Sequence, residues 1–318
     1  MIDQETSILT KTGWKTYDEL TISDCVMQWD KVSGKLTWGQ VGDVVVKDYS
    51  GYMIHITNNR TDQLLTPGHL VLAKYRKSQT HKESMVYSQQ YAGNHSKFFS
   101  VKLPLAGVYS GEKEFNKELA YIIGWWLTDA YIHSNKKGAV FTQSKPKTLK
   151  KLAAALQPYN PKIYVNKPKK VHYNPEHTFY LRNELGDYLL EEWGDREITW
   201  DVLNWNLTSR LRLLDGLMDG DGTEETGRQY KIYAKSFWSR RPHRRSIFGA
   251  LTACLGYRTY ENLNKYAVYF NTQHDYTTIT KKHHQKPVKY SGKIWTIKCP
   301  HGAFLAKRNT KIFITNEG

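Results

Sequence analysis

The residues best placed to do chemistry sit in the nonapeptide Leu214-Asp215-Gly216-Leu217-Met218-Asp219-Gly220-Asp221-Gly222. An earlier run, Ile122-Ile123-Gly124-Trp125-Trp126-Leu127-Thr128-Asp129-Ala130, keeps the central glycine and the final acid. Small residues four apart, Gly124 with Thr128 and Gly216 with Gly220, share one helical face and let two backbones approach closely. Helices paired in parallel through those faces set Asp129 and Asp221 side by side at their C-terminal ends, where the helix dipoles add negative potential. Two ionised carboxylates placed there need a cation. Oxygen ligands, retained waters and a neighbouring phosphate suit Mg²⁺, which activates a water and stabilises a leaving oxygen in phosphodiester hydrolysis. Taken alone, Gly220-Asp221-Gly222 reads equally well as a helix C-cap and turn. Repetition of the pattern favours the catalytic reading, with Asp219 in a structural or supporting role.

The elements around these acids repeat as well. A helix from Leu119 to Asp129 is followed by a strand, Ala139 to Ser144, then a basic helix reaching Leu156 and a hairpin from Lys162 to Leu181. A helix from Leu211 to Asp221 is followed by a strand, Lys231 to Ser236, a basic helix reaching Leu255 and a hairpin from Thr259 to Phe270. Two αββα-like halves predict a pseudo-two-fold domain, the way one chain imitates a symmetric dimer. The first hundred residues instead read as short strands and turns, as in Ser7 to Thr10 and Asp24 to Trp29. Strands return at Tyr290 to Cys299 and Lys311 to Thr315, beyond the basic run Thr280 to Pro287. The middle therefore reads as an insertion between two parts of one β domain.

Composition sets the class of partner. The chain has 318 residues, enough for two domains with a core in each. Forty-six Lys and Arg against 30 Asp and Glu give +16, with a pI near 9.5, and favour a polyanion such as nucleic acid. Apolar residues make up 40% and mean hydropathy is −0.63, the balance of a folded, non-membrane chain. The longest apolar stretch, Leu119 to Leu127, is far shorter than a bilayer requires, so no membrane partner is expected. Cys25, Cys254 and Cys299 are odd in number and far apart, which excludes a disulfide framework and fits a reducing compartment. No signal peptide is visible in Met1-Ile2-Asp3-Gln4-Glu5, so a cytoplasmic location is expected, in a host or phage-infected cell.

Leu214 to Gly222 closely resembles the LAGLIDADG motif of homing endonucleases, and Ile122 to Ala130 resembles a divergent first copy, with Ala130 where the family usually has glycine. The resemblance implies catalytic Asp129 and Asp221, a metal set of Asp129, Asp221, Ala130 and Gly222, and helix packing through Gly124, Gly216 and Gly220. It implies two or three Mg²⁺ ions. It also places Gln143 and Lys235 on the strands after the motif helices, where such residues orient water or offset charge at the phosphate. Lysine could stabilise developing charge there, whereas glutamine could only hydrogen-bond; both also read as solvated strand residues.

A basic run contains Lys231, Lys235, Arg240, Arg241, Arg244 and Arg245 without an acid, and Lys162, Lys167, Lys169 and Lys170 form a second cluster. Such runs are usually solvated faces. In equivalent halves of a +16 chain they suit a sheet docked along a duplex, with phosphate contacts giving affinity and strand side chains reading the major groove. The resemblance implies a monomer that straddles double-stranded DNA with a long recognition site and cuts both strands, leaving short 3′ overhangs.

The outer segments resemble the Hint domain of inteins. Glu5 to Thr10 resembles an intein start, Thr66-Pro67-Gly68-His69 matches the Thr-x-x-His motif, and Tyr290 to Trp295, Phe304 to Asn309 and Ile312 to Asn316 resemble the closing strands. Splicing needs a thiol or hydroxyl at the first position, usually a histidine before the last asparagine, and a nucleophile after it. Met1, Thr315 and Glu317 stand in those places, so Met1, Thr66, His69 and Asn316 read as vestiges. Basic Lys74, Arg76, Lys77 and Lys82 would add DNA contacts.

The resulting expectation is an α+β, two-domain chain. An all-β, horseshoe-like Hint domain comes from residues 1–110 and 286–318. An inserted αββαββα LAGLIDADG endonuclease domain spans 111–285, with repeats at about 115–200 and 205–280. Two other readings fit the same residues: a weakly catalytic DNA-binding protein or RNA maturase of the same fold, and an active intein with altered termini.

Overall fold

The computed structural model describes residues 1–76, 85–91, 101–133, 138–167, 174–194, 196–225 and 234–317. They gather into two units. The first comprises Met1–Ser110, Glu225–Lys235 and Arg245–Gly318; the second comprises Gly111–Glu224 and Ser236–Arg244.

In the first unit Ile2–Asp3, Gln285–Lys298, Asp43–Thr57 and Asp62–Leu65 close a small barrel. Ile2 pairs with both Trp295 and Leu65, which joins the ring. A larger sheet includes, in order, Val108–Tyr109, Lys35–Gln40, Cys25–Trp29, Ser7–Thr10, Ala303–Arg308, Lys311–Asn316, Arg258–Asn262 and Ala267–Asn271. Turn chemistry sets the Cys25–Trp29 hairpin: Asp30 accepts from the Val32 and Ser33 amides, and Gly34 takes a left-handed φ of 69°. Ile8, Val26, Ile56, Leu65, Trp295, Phe304 and Phe313 fill the core, so both ends of the chain contribute to it.

The sequence repeat places residues 245–280 in the middle domain. In the structure they belong to the first unit, because Arg258–Asn262 pairs with Lys311–Asn316 through Tyr260 and Lys311.

The second unit is built on helices α1 (Lys117–Leu127) and α4 (Leu207–Asp221), with α2 (Pro146–Leu156) and α3 (Glu184–Trp193) between them in the chain. Asn116 caps α1 by accepting from the Glu118 and Leu119 amides, and Asn206 caps α4 by accepting from Ser209. Helix α4 therefore begins four residues before the expected Leu211. An antiparallel sheet runs in the order Ala130–Ile132, Ala139–Gln143, Glu176–Leu181, Lys162–Asn166. Its buried face carries Ala139, Phe141, Phe179 and Leu181, with the Phe141 ring 6.0 Å from that of Trp126 on α1. The fifth helix, α5 (Pro242–Cys254), contributes its first turn, through Arg244, to this unit.

Candidate active site

The site grows from the contact between α1 and α4. A Cβ on Gly124 would lie 2.6 Å from the Leu213 carbonyl oxygen, and one on Gly216 would lie 2.2 Å from that of Tyr121. A Cβ on Gly220 would fall 2.0 Å from Thr128 Oγ1. Backbone touches backbone at Gly124 and Gly216, and the Thr128 side chain fills the space at Gly220, so glycine fits at each of these positions. Around the seam Asp219 accepts from Tyr121 Oη (2.9 Å) and from Lys151 Nζ (2.9 and 3.0 Å), which ties α4 to α1 and α2.

Helix α1 stops at Leu127, short of the expected Asp129. Thr128 turns its hydroxyl back to the Gly124 and Trp125 carbonyls and leaves the helical conformation at φ −111° and ψ −83°. The chain then enters Ala130–Ile132. The carbonyls that the helix end leaves open go to two arginines. Arg196 donates to the Trp126 carbonyl at 3.0 Å and to that of Thr128, while Arg244 donates to Leu127 at 2.7 Å. Gly222 closes α4 by donating to the Met218 carbonyl, and a Cβ there would sit 2.4 Å from that same oxygen.

Asp129, two residues past the end of α1, and Asp221, the last residue of α4, lie within each other's electrostatic reach. Burial raises the Asp221 carboxyl above its ordinary range, and the charge of Asp129 raises it further; Arg244, Arg196 and Lys145 act in the opposite sense. Burial also raises Asp129, offset by Lys145 and Arg196. Asp129 remains solvent-accessible and Asp221 is half-buried. Burial lowers Arg196 and Arg244, and the positive charges around them lower both further. The site thus holds two acids under the influence of three cations, Lys145, Arg196 and Arg244.

Among the described residues no cluster of three or more His, Cys, Asp or Glu could hold a metal. The oxygen donors at the site are the two carboxylates, Asp129 and Asp221. Such oxygen ligands fit a hard divalent ion that keeps waters and takes a phosphate, and the raised carboxyls are the condition such an ion relieves.

The other expected residues scatter. Gln143 is buried, and its Oε1 accepts from the Ser144 and Lys145 amides at 2.9 and 2.7 Å. It thereby fixes the backbone that carries Lys145 into α2. Lys235 lies half-buried in Ala234–Trp238 and belongs to the first unit. Arg244 and Arg245 do not form a DNA-facing surface. They are 7% and 4% exposed; Arg244 is bound to helix carbonyls, and Arg245 pairs with Glu261 at 2.5 Å. Arg240 and Arg241 are exposed, the first 5.8 Å over the Trp238 ring and the second paired with Glu197. Lys162 and Lys167 are exposed on their hairpin. Lys169, Lys170, Lys231, Lys77 and Lys82, and the side chain of Arg76, lie outside the described residues.

Sequence reasoning missed Lys145 and Arg196. Lys145 follows Gln143 by two positions just before a helix-initiating proline, a usable signal. Arg196 has none, since it reaches the site from a residue at φ 56° after α3.

The residues read as splicing vestiges converge in the first unit. The Met1 amine donates to Thr66 Oγ1 at 3.0 Å and lies 2.8 Å from His69 Nδ1, and His69 Nε2 lies 3.1 Å from Thr315 Oγ1. Burial lowers the amine to about 5 and holds His69 well below its ordinary value, where the nearby amine charge adds to the effect. Asn316 is buried, and its Oδ1 has no partner among the described residues.

Residues 116–194 match the model of the LAGLIDADG-like domain, a stretch that holds the first motif copy and not the second. No curated protein matches the chain. Among solved structures, the homing endonuclease I-WcaI bound to its DNA recognition sequence is 15% identical, with 50% of this chain and 78% of that one covered and a TM-score of 0.37. I-DmoI in complex with DNA and Mn is 16% identical, covering 49% and 88%, with a TM-score of 0.35. The N-terminal LAGLIDADG domain of DUF199/WhiA is 9% identical, covering 49% and 75%, with a TM-score of 0.36.

Proposed function

We propose that this chain is a site-specific DNA endonuclease of the LAGLIDADG type, carried on an intein-like scaffold that no longer splices. One observation carries the reading. Two acids from separate copies of one motif lie within each other's field, near the ends of helices whose glycines permit backbone contact. Asp129 and Asp221 would hold divalent magnesium, with the backbone at Ala130 and Gly222 beside them. The bound ion supplies Lewis acidity and a nucleophilic water for phosphodiester hydrolysis.

The chain's own groups do the rest. Lys145, with Arg196 and Arg244 behind it, places positive charge where a scissile phosphate gains negative charge. Gln143 holds the backbone of Lys145 through its Oε1. Exposed Lys162, Lys167, Arg240 and Arg241 supply phosphate contacts on a long duplex site. We further infer a monomer, double-strand cleavage with 3′ overhangs and a cytoplasmic setting, with the acids carried by the unit that comprises Gly111–Glu224 and Ser236–Arg244. No described helix is long and apolar enough to cross a membrane.

The scaffold reading rests on the convergence of Met1, Thr66, His69 and Thr315, and on the sequence at the junction. Threonine stands where a splicing centre usually has its second histidine, and Glu317 follows Asn316. A reading as a DNA-binding protein without cleavage draws on the three cations, which already offset the two acids. Incubation with a duplex library separates the readings. Cutting at a few sites only with Mg²⁺, lost in Asp221→Asn while binding persists, is expected; unchanged cutting by Asp221→Asn removes the proposal.

A further inference from the structure

The open face of the sheet in the second unit is unlike an ordinary solvated sheet face, which alternates polar residues outward. Cross-strand pairing aligns Tyr131 with Val140, Val140 with Tyr180, Tyr180 with Lys162, and Tyr164 with Thr178. Three tyrosines therefore share one face. Val140 beneath them is 1% exposed, while Tyr131 and Tyr164 are 45% and 56% exposed. A cavity of about 580 Å³ opens over this floor, within the range of small-ligand sites. His133 stands edge-on to Tyr180 at 5.0 Å, and the Arg182 guanidinium lies 5.2 Å from the same ring. Lys162 and Arg182 line the cavity, and no acid does among the described residues.

We propose that this cavity takes one unpaired nucleotide of bound DNA, its base stacked on tyrosine and its phosphate on Lys162 and Arg182. A fully paired duplex shows a sheet only base edges and backbone. It has no ring face to offer three tyrosines. An extruded or bulged base does, and each base stacked on an aromatic side chain adds substantially to affinity whatever its identity. Complementarity of charge selects a phosphate-bearing occupant, and the volume admits one nucleotide rather than a strand. The site would make the enzyme sensitive to locally opened DNA. This inference rests on the DNA-binding reading above and adds to it a preference for a particular DNA state.

The test uses the full chain without divalent ions and two duplexes of the same sequence, one fully paired and one with a single bulged 2-aminopurine. The bulged duplex should bind about tenfold more tightly, with 2-aminopurine fluorescence quenched on binding. Tyr164→Ala should abolish both the preference and the quenching and leave paired-duplex affinity unchanged, while Tyr164→Phe keeps both. Equal affinity for the two duplexes with no quenching overturns the cavity proposal and leaves DNA binding standing. Failure to bind either duplex overturns the DNA-binding reading and this inference together. Binding of adenosine monophosphate with no discrimination between the duplexes would also overturn it, assigning the cavity to a free nucleotide.

Discussion

At Asp221 a carboxylate is held where burial and a second acid both oppose its charge. Its folded pKa lies above the unfolded one, so the folded state binds the proton more tightly. The contribution of this group to stability is therefore most favourable at low pH and worsens as pH rises from the unfolded value through the raised one. At neutral pH the ionised group works against folding. Asp221→Asn should accordingly raise the melting temperature of the metal-free protein at pH 7 and have less effect near pH 3, measured by thermal unfolding. A lower melting temperature at pH 7 would show that the acid stabilises the fold. Such a trade of stability for chemistry is common at catalytic sites. Both acids and their motif glycines were legible in the sequence because the pattern repeats. Lys145 and Arg196 were not, since no periodicity links a residue before α2 or after α3 to the ends of α1 and α4.

The helix pair depends on backbone contact. Gly216→Ala improves helix propensity by about 1 kcal/mol on its own. Here the new Cβ would meet the Tyr121 carbonyl oxygen at 2.2 Å, and α1 and α4 would have to separate. Overpacking of this kind costs about 1–3 kcal/mol, so denaturant unfolding should show net destabilisation, and Mg²⁺-dependent cutting should fall with it. A gain in stability would mean that the seam is loose. Element types were readable from apolar density and repetition, but the end of α1 was not. The motif pattern runs on to Asp129 without a helix-breaking residue, and the Thr128 back-bond with Arg196 and Arg244 takes the carbonyls away from the helix. Arg244, spent on helix carbonyls, and Arg245, paired with Glu261, show why a basic run is a poor guide to a binding face. A guanidinium satisfies helix-end carbonyls as readily as phosphates.

Across the whole molecule, residues far apart in sequence hold the first unit together. Arg308 donates to Asp3 at 3.0 Å, to Asp62 at 2.8 Å and to Glu5 at 2.9 Å, and His55 lies 2.8 Å from Asp62. Burial alone would raise Asp62, but hydrogen bonds from His55 and Asn309 and the charge of Arg308 hold it down at about 2. Its folded pKa is depressed, so its contribution is present above the unfolded value near 3.8 and is lost as pH falls toward 2. Arg308→Met strands the fully buried Asp3 and should destabilise the protein by about 3 kcal/mol at pH 7 in denaturant titrations. The deficit should shrink as pH falls from about 3.8 toward 2, the window in which the Asp62 contribution is lost; a deficit independent of pH would assign the loss to packing. That the chain ends share a β unit was visible in the return of strand patterns after Tyr290. That residues 245–280 fold with them was not, because the pairing of Tyr260 with Lys311 leaves no local trace.

The central claim is that Asp129 and Asp221 act together on one divalent ion, and it can be tested without knowing the DNA target. Isothermal titration of Mn²⁺, as a stand-in for Mg²⁺, into the protein at pH 7 should show saturable binding that Asp129→Asn and Asp221→Asn each abolish. Binding that survives in either variant, or none in the parent, would contradict the account.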